Sequence, residues 1–249
     1  MTADQVTKPL PVRNQSLKEM MIMRSRTAAA LTAVTLLPLT ACSGAGTTTD
    51  ELSYQIDQPL TALVVGARAA SVAIVVGDGP VTVTEEHRYS SGKPSTAHQV
   101  EGQTLRLTES GCGDDDTRCV VEYTIRMPEA MTVDIIAQAG AVKLDGLAGN
   151  LRVTTEAGAV EGRALSSDQV IIQTEAGAAS LEFVEAPTLS RITTTLGGVN
   201  LRLPGTTAYA VDVRTDVGAS SVEVDRDPAS AHQITVHTEV GGVKIERLT

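Results

Sequence analysis

A short signature recurs six times in the second half of the chain: a small or aliphatic residue, then Gly, then Ala or Gly. The copies are Ala139-Gly140-Ala141, Ala157-Gly158-Ala159, Ala176-Gly177-Ala178, Leu196-Gly197-Gly198, Val217-Gly218-Ala219 and Val240-Gly241-Gly242. Successive glycines lie 18, 19, 20, 21 and 23 residues apart. Thr155, Thr174, Thr194, Thr215 and Thr238 each stand two residues ahead of a copy, and Ala137 holds that place in the first. A unit of about 20 residues cannot bury a face alone, so such units fold by stacking on one another.

A period-2 strand precedes each glycine. Val211, Val213, Thr215 and Val217 alternate with Asp212, Arg214 and Asp216. Ile234, Val236, Thr238 and Val240 do the same, as do Leu151, Val153, Thr155 and Ala157. Most glycines are followed by a second short strand, such as Val199, Leu201 and Leu203. The pattern predicts an all-β, β-solenoid-like stack within a β-rich domain at 52–249, its strands pairing in parallel about 4.8 Å apart. Gly140, Gly158, Gly177, Gly197, Gly218 and Gly241 are expected at corners, where a bend or positive φ requires glycine. The threonines would form an internal ladder. Stacked in sequence order, the unit of Gly241 comes last. The alternative is an antiparallel β-sandwich with recurring Gly turns.

Residues 52–128 look like a less regular continuation. Ser71–Val76 and Val81–Thr84 flank the turn signal Gly77-Asp78-Gly79-Pro80. Thr104–Glu109 and Cys119–Met127 read as a hairpin with a long loop.

Tyr123-Thr124-Ile125-Arg126-Met127-Pro128, then Val133-Asp134-Ile135 and the train of Thr-x-x-Gly rungs, resembles a bacterial family labelled "putative adhesin", a domain of unknown function. The resemblance spans roughly residues 60–249. It implies a β-solenoid-like domain, often attached to membranes and sometimes linked with envelope-stress systems. The family brings no established catalytic residues.

The start of the chain has a different character. Residues 1–41 hold five cations against two anions, net +3, which leaves −13 for the rest of a chain at −10. Arg24-Ser25-Arg26 precedes the uncharged run Thr27–Ala41, which ends in Leu39-Thr40-Ala41-Cys42. A basic region, a short apolar run and small residues before a cysteine fit a helical signal peptide over 1–41. The box resembles that of bacterial lipoproteins, which implies cleavage before Cys42 and lipid on its thiol. Two acyl chains give stable anchoring where one gives only marginal binding. Translation is expected to start within Met20–Met23, and 42–51 to be a flexible tether. The expected location is the cell membrane, lipid-anchored and facing outside the cytoplasm.

In an exported domain Cys112 and Cys119 are expected to form a disulfide across the loop of the proposed hairpin. Two free thiols are the alternative. No second ligand pair accompanies them, so no zinc site is expected. Asp114, Asp115 and Asp116 between them, and Glu223, Asp225 and Asp227 farther on, read as solvated acidic residues rather than metal ligands. Glu156, Glu175, Asp216 and Glu239 each follow the threonine column by one residue and alternate outward. Stacked carboxylates repel, and a cation or basic partner would relieve that repulsion. This column is the candidate face for such a partner.

His87, His98, His232 and His237 are scattered, and no His-Glu-x-x-His, Gly-x-Ser-x-Gly or phosphate-binding loop occurs. Net negative charge argues against a nucleic-acid partner. Four tyrosines, one phenylalanine and no tryptophan give few platforms for sugar rings. The sequence therefore points to a non-catalytic, membrane-anchored interaction or structural module without cofactor or metal. Its partner would be an unspecified envelope component or protein. The alternatives are an envelope-stress sensor binding cationic peptides or cell-wall material, and a polysaccharide-acting enzyme on a β-helix.

Overall fold

The computed structural model describes residues 46–112 and 118–248. The expected signal segment, Cys42 and the loop 113–117 with its three aspartates lie outside the described residues. Among the described residues the chain is all β, with eighteen strands and no helix. Ser43–Thr249 form one compact unit, and every residue of the described core lies within it.

In chain order the strands are β1 (Thr48–Ile56), β2 (Ala62–Val76), β3 (Val81–Tyr89), β4 (Thr96–Glu101), β5 (Thr104–Glu109) and β6 (Val120–Met127). The repeats follow as pairs. They are β7 (Thr132–Ala139) with β8 (Val142–Asp145), β9 (Leu151–Ala157) with β10 (Val160–Leu165), and β11 (Gln169–Ala176) with β12 (Ala179–Phe183). Then come β13 (Leu189–Leu196) with β14 (Val199–Pro204), β15 (Ala210–Val217) with β16 (Ser220–Val222), and β17 (Gln233–Val240) with β18 (Val243–Leu248). β1 begins inside the segment expected to be tether.

Each pair is one rung. Its first strand lies in a front sheet, the chain turns at the glycine, and the second strand lies in a back sheet. The front sheet runs β4-β5-β2-β7-β9-β11-β13-β17-β15. The back sheet runs β1-β3-β6-β2-β8-β10-β12-β14-β18-β16. β2 serves both, pairing through 62–69 in front and 70–76 behind. All ladders between repeat rungs are parallel, as a coiled stack requires, which rules out the antiparallel sandwich there. The three antiparallel pairings, β1–β3, β3–β6 and β4–β5, are confined to the N-terminal end.

Strand alternation builds the core. Val153, Ile172, Ile192 and Val236 stack inward from the front sheet and Leu144, Leu181, Leu201 and Ile245 from the back, all at most 2% exposed. Burying each such aliphatic side chain contributes roughly 1.5–3 kcal/mol. With this many aliphatic rows, the interior needs few aromatics.

Three expectations are corrected. First, the rungs do not stack in sequence order. β17 pairs with β13 on one side and β15 on the other, and β18 likewise lies between β14 and β16. The unit of Gly218, not that of Gly241, ends the stack. The chain leaves a gap one rung wide after β14, lays down β15 and β16, returns through 223–232 and fills the gap. That return is held at Tyr209, whose N–H donates to the Asp225 carbonyl while its own carbonyl accepts from Asp227 N–H.

Second, β5 and β6 are not a hairpin. β5 lies in the front sheet and β6 in the back, each parallel to β2, so together they make another rung. Likewise β6 separates β2 from β3, so the Gly77–Pro80 turn joins strands that do not pair.

Third, positive φ is not what the corner glycines share. It occurs at Gly140, Gly197 and Gly218 and is absent at Gly158, Gly177 and Gly241. Close approach is common to all six. A Cβ at Gly140 would fall 1.9 Å from the carbonyl oxygen of Ala70, and one at Gly241 would fall 2.0 Å from that of Gly197. The corner backbones pack against one another with no room for a side chain.

Candidate interaction surface along the glycine corner

The corner is a set of parallel columns. Innermost is the threonine column, whose hydroxyls donate to glycine carbonyls of the adjacent rung. Thr194 reaches Gly177 at 3.2 Å, Thr238 reaches Gly197 at 3.1 Å and Thr215 reaches Gly241 at 3.0 Å. Thr155 stacks against the Ala137 position, and its buried hydroxyl has no partner. These bonds satisfy carbonyls at the bend and fix the rung spacing.

Next comes the acidic column, outward on the front sheet. In stacking order it reads Gln138, Glu156, Glu175, Thr195, Glu239 and Asp216. The structure therefore brings the expected carboxylates together as two neighbouring pairs, Glu156 with Glu175 and Glu239 with Asp216, separated by Thr195. All four are exposed, and none forms an ion pair. Arg214, two residues before Asp216 on the same outward face, bonds Asp212, at 3.2 Å. Among the described residues no group of three or more His, Cys, Asp and Glu is arranged to hold a metal ion.

Beyond it runs a ridge of Ala139, Ala157, Ala176, Leu196, Val240 and Val217, in stacking order. Its last three members sit in adjacent rungs with 54%, 46% and 63% of their surface exposed. Past the glycines, the outer face of the back sheet carries a shallow groove of about 570 Å³ floored by Ala178, Gly198, Gly242 and Ala219.

Charge on the back sheet is handled differently. Arg202 bridges Glu182 at 3.3 Å and Glu246 at 3.2 Å, and Lys244 also holds Glu246. The Lys244 ammonium, then the Arg202 guanidinium, lower the Glu246 carboxyl below its usual range. Opposite charges alternate there, whereas the front column keeps its carboxylates uncompensated.

The disulfide between Cys112 and Cys119 is present. Because β5 and β6 form a rung, it closes a corner and not a hairpin loop. Beside it, Glu109 accepts from the backbone N–H groups of Arg68 and Ala69 at 2.9 and 2.8 Å.

One constellation escaped the sequence reading. Tyr54 donates to Glu85 at 2.6 Å, and His87 Nε2 lies 2.9 Å from the other Glu85 oxygen. Glu85 and His87 are buried, as is the unpartnered hydroxyl of Tyr123 nearby. The signal was present, since Val81, Val83, Glu85 and His87 share one strand parity. The cluster lies at the N-terminal end of the core, where Glu85 is bonded by Tyr54 and lies against His87 while the Tyr123 hydroxyl stays unpartnered.

The fold and surface define an all-β stack of parallel rungs with ordered exposed columns. No family model matches the chain, and no curated protein matches its sequence. Among solved structures it is similar to a "putative cell adhesion protein" from Clostridium sporogenes ATCC 15579, at 15% identity and a TM-score of 0.51, covering 81% of this chain and 100% of that one. A "putative adhesin" from Bacteroides fragilis NCTC 9343 aligns at 14% identity and a TM-score of 0.47, covering 80% and 97%. At such identity the first likeness establishes a shared fold.

Proposed function

We propose that the domain is a non-catalytic, adhesin-like interaction module that presents its glycine corner to a basic partner outside the cytoplasm. Lipid on Cys42 holds it at the membrane. The observation that carries this reading is the column of unpaired carboxylates beside an exposed aliphatic ridge, repeated at rung spacing. A rigid linear array of this kind suits an extended cationic partner, with charge steering the encounter and the ridge supplying apolar contact. The same column suits an envelope sensor of cationic peptides. The adhesin-like fold of the Clostridium structure favours the adhesive role.

The test is binding of a cationic peptide to the segment 43–249, which carries the whole described core, at low and high salt. Binding should weaken with salt and be lost when Glu156, Glu175 and Glu239 become Gln and Asp216 becomes Asn. Unchanged affinity in that variant would remove the column from any binding role. Anchoring is tested separately, since Cys42→Ser should leave the precursor uncleaved or release the protein from the membrane fraction.

A further inference from the structure

The two ends of the stack are finished differently. At the N-terminal end the sheets finish in antiparallel strands, β1 and β4. Tyr54 of β1 stacks on His98 of β4 with ring centroids 4.2 Å apart, so a side-chain pair spans the two sheets and covers the core. At the other end the sheets finish in β15 and β16, each with one neighbour. Val211, Val213 and Val222 point inward there but remain partly exposed, while Ile234, Val236 and Ile245 one rung deeper are fully buried.

We propose that this end is covered by a second copy of the chain, with β15 pairing antiparallel to β15 of that copy about a two-fold axis at Val213. The backbone is available for it. Ala210 N–H donates inward to the His232 carbonyl, so strand alternation turns the N–H and C=O groups of Val211, Val213 and Thr215 away from β17. An edge of this kind is a template for another strand.

Side-chain charge sets the register. With Val213 opposite its counterpart, Asp212 falls opposite Arg214 of the second copy, and Arg214 opposite its Asp212. Thr215 meets Val211, and Asp216 meets Ala210, so no like charges oppose. Asp212 and Arg214 are exposed and already lie 3.2 Å apart within one strand, which allows the two copies to join four charges into one cluster. Cross-strand pairs of opposite sign favour pairing, and like charges directly opposite disfavour it. Of the four edge strands only β15 carries both signs: β1 has Asp50 and Glu51, β4 has Glu101, and β16 is uncharged. A two-fold interface needs a self-complementary surface, and β15 supplies one.

The experiment is the oligomeric state of segment 43–249 by sedimentation equilibrium, with thermal unfolding to establish that each variant is folded. The wild type should dimerise. Asp212→Arg and Arg214→Asp, each alone, should raise the dissociation constant by about tenfold or more. The double variant Asp212→Arg/Arg214→Asp should restore wild-type dimerisation, because it exchanges the charges without losing their complementarity. Val213→Pro, which removes an edge N–H, should abolish dimerisation. A wild type that stays monomeric at millimolar concentration overturns the proposal and leaves the edge to solvent or to another partner. So does a dimer that is indifferent to the single reversals or to Val213→Pro, or one that the double variant fails to restore.

Discussion

Thr238 donates its hydroxyl to the carbonyl oxygen of Gly197, 3.1 Å away and 41 residues earlier in the chain. Stacking in sequence order would have paired it with Gly218. Instead Gly218 belongs to the outer rung, whose Thr215 donates forward in sequence, to Gly241. One bond thus records that the last rung of the sequence lies inside the stack.

The glycine column should rank by spatial and not sequential position. Gly197→Val and Gly241→Val each drive a Cβ into a neighbouring carbonyl while another rung presses from the far side. Both should destabilise by about 3 kcal/mol or more, the scale of severe core changes. Gly218→Val meets the Gly241 carbonyl at a φ close to that of Gly197, but its rung can swing outward, so it should cost less than Gly197→Val. Urea unfolding of the three variants checks this, and equal costs at Gly197 and Gly218 would contradict the observed rung order.

Threonines of one column should respond differently to loss of the hydroxyl. Thr238→Val removes a bond to Gly197 and should cost about 1 kcal/mol. Thr155→Val removes a buried hydroxyl with no partner, so it should be neutral or stabilising. Equal losses at both sites, measured by denaturant midpoints, would mean that the hydroxyls do not act through these bonds.

Reduction should loosen the β5–β6 corner. Cys112 and Cys119 close a loop of seven residues in sequence separation, worth roughly 2–3 kcal/mol on the chain-entropy account. Thiol titration of the native protein should find neither cysteine reactive until reductant is added. The Tm should fall in Cys112→Ala.

Alkaline pH should unfold the protein through its tyrosines. Burial, reinforced by the bond to Glu85, pushes the Tyr54 phenol up, and burial with the Glu85 and Glu109 charges does the same at Tyr123. Burial raises Tyr209 to about 12. A phenol raised in the folded state binds more protons there than in the unfolded chain. The stability this confers is complete below the ordinary tyrosine value near 10 and is lost as pH rises through the folded values. Phenolate absorbance of the buried tyrosines should therefore appear together with unfolding. Tyr123→Phe, which removes an unpartnered hydroxyl, should flatten the alkaline slope without lowering stability at neutral pH.

Local chemistry made much of this legible in the sequence. Period-2 alternation set which side chains face inward, because a strand offers only two faces. The Thr-x-x-Gly signature placed the corners, because backbones there approach too closely for a Cβ. The acidic column and the disulfide pair followed from the same register and from the cysteine count. Rung order was a tertiary decision, since the rungs of β13, β15 and β17 carry nearly interchangeable patterns and pair equally well by local rules. The 23-residue step from Gly218 to Gly241, the longest of the series, and the three charges Asp212, Arg214 and Asp216 on the outward face of β15 hint at the exchange. Only the assembled stack turns those hints into an order, because which strand ends a sheet depends on which partners remain unpaired after all the others have found theirs. The inward placement of Glu85 and His87 was decided the same way, since a buried carboxylate is stable only where Tyr54, 31 residues earlier, is brought within 2.6 Å of it.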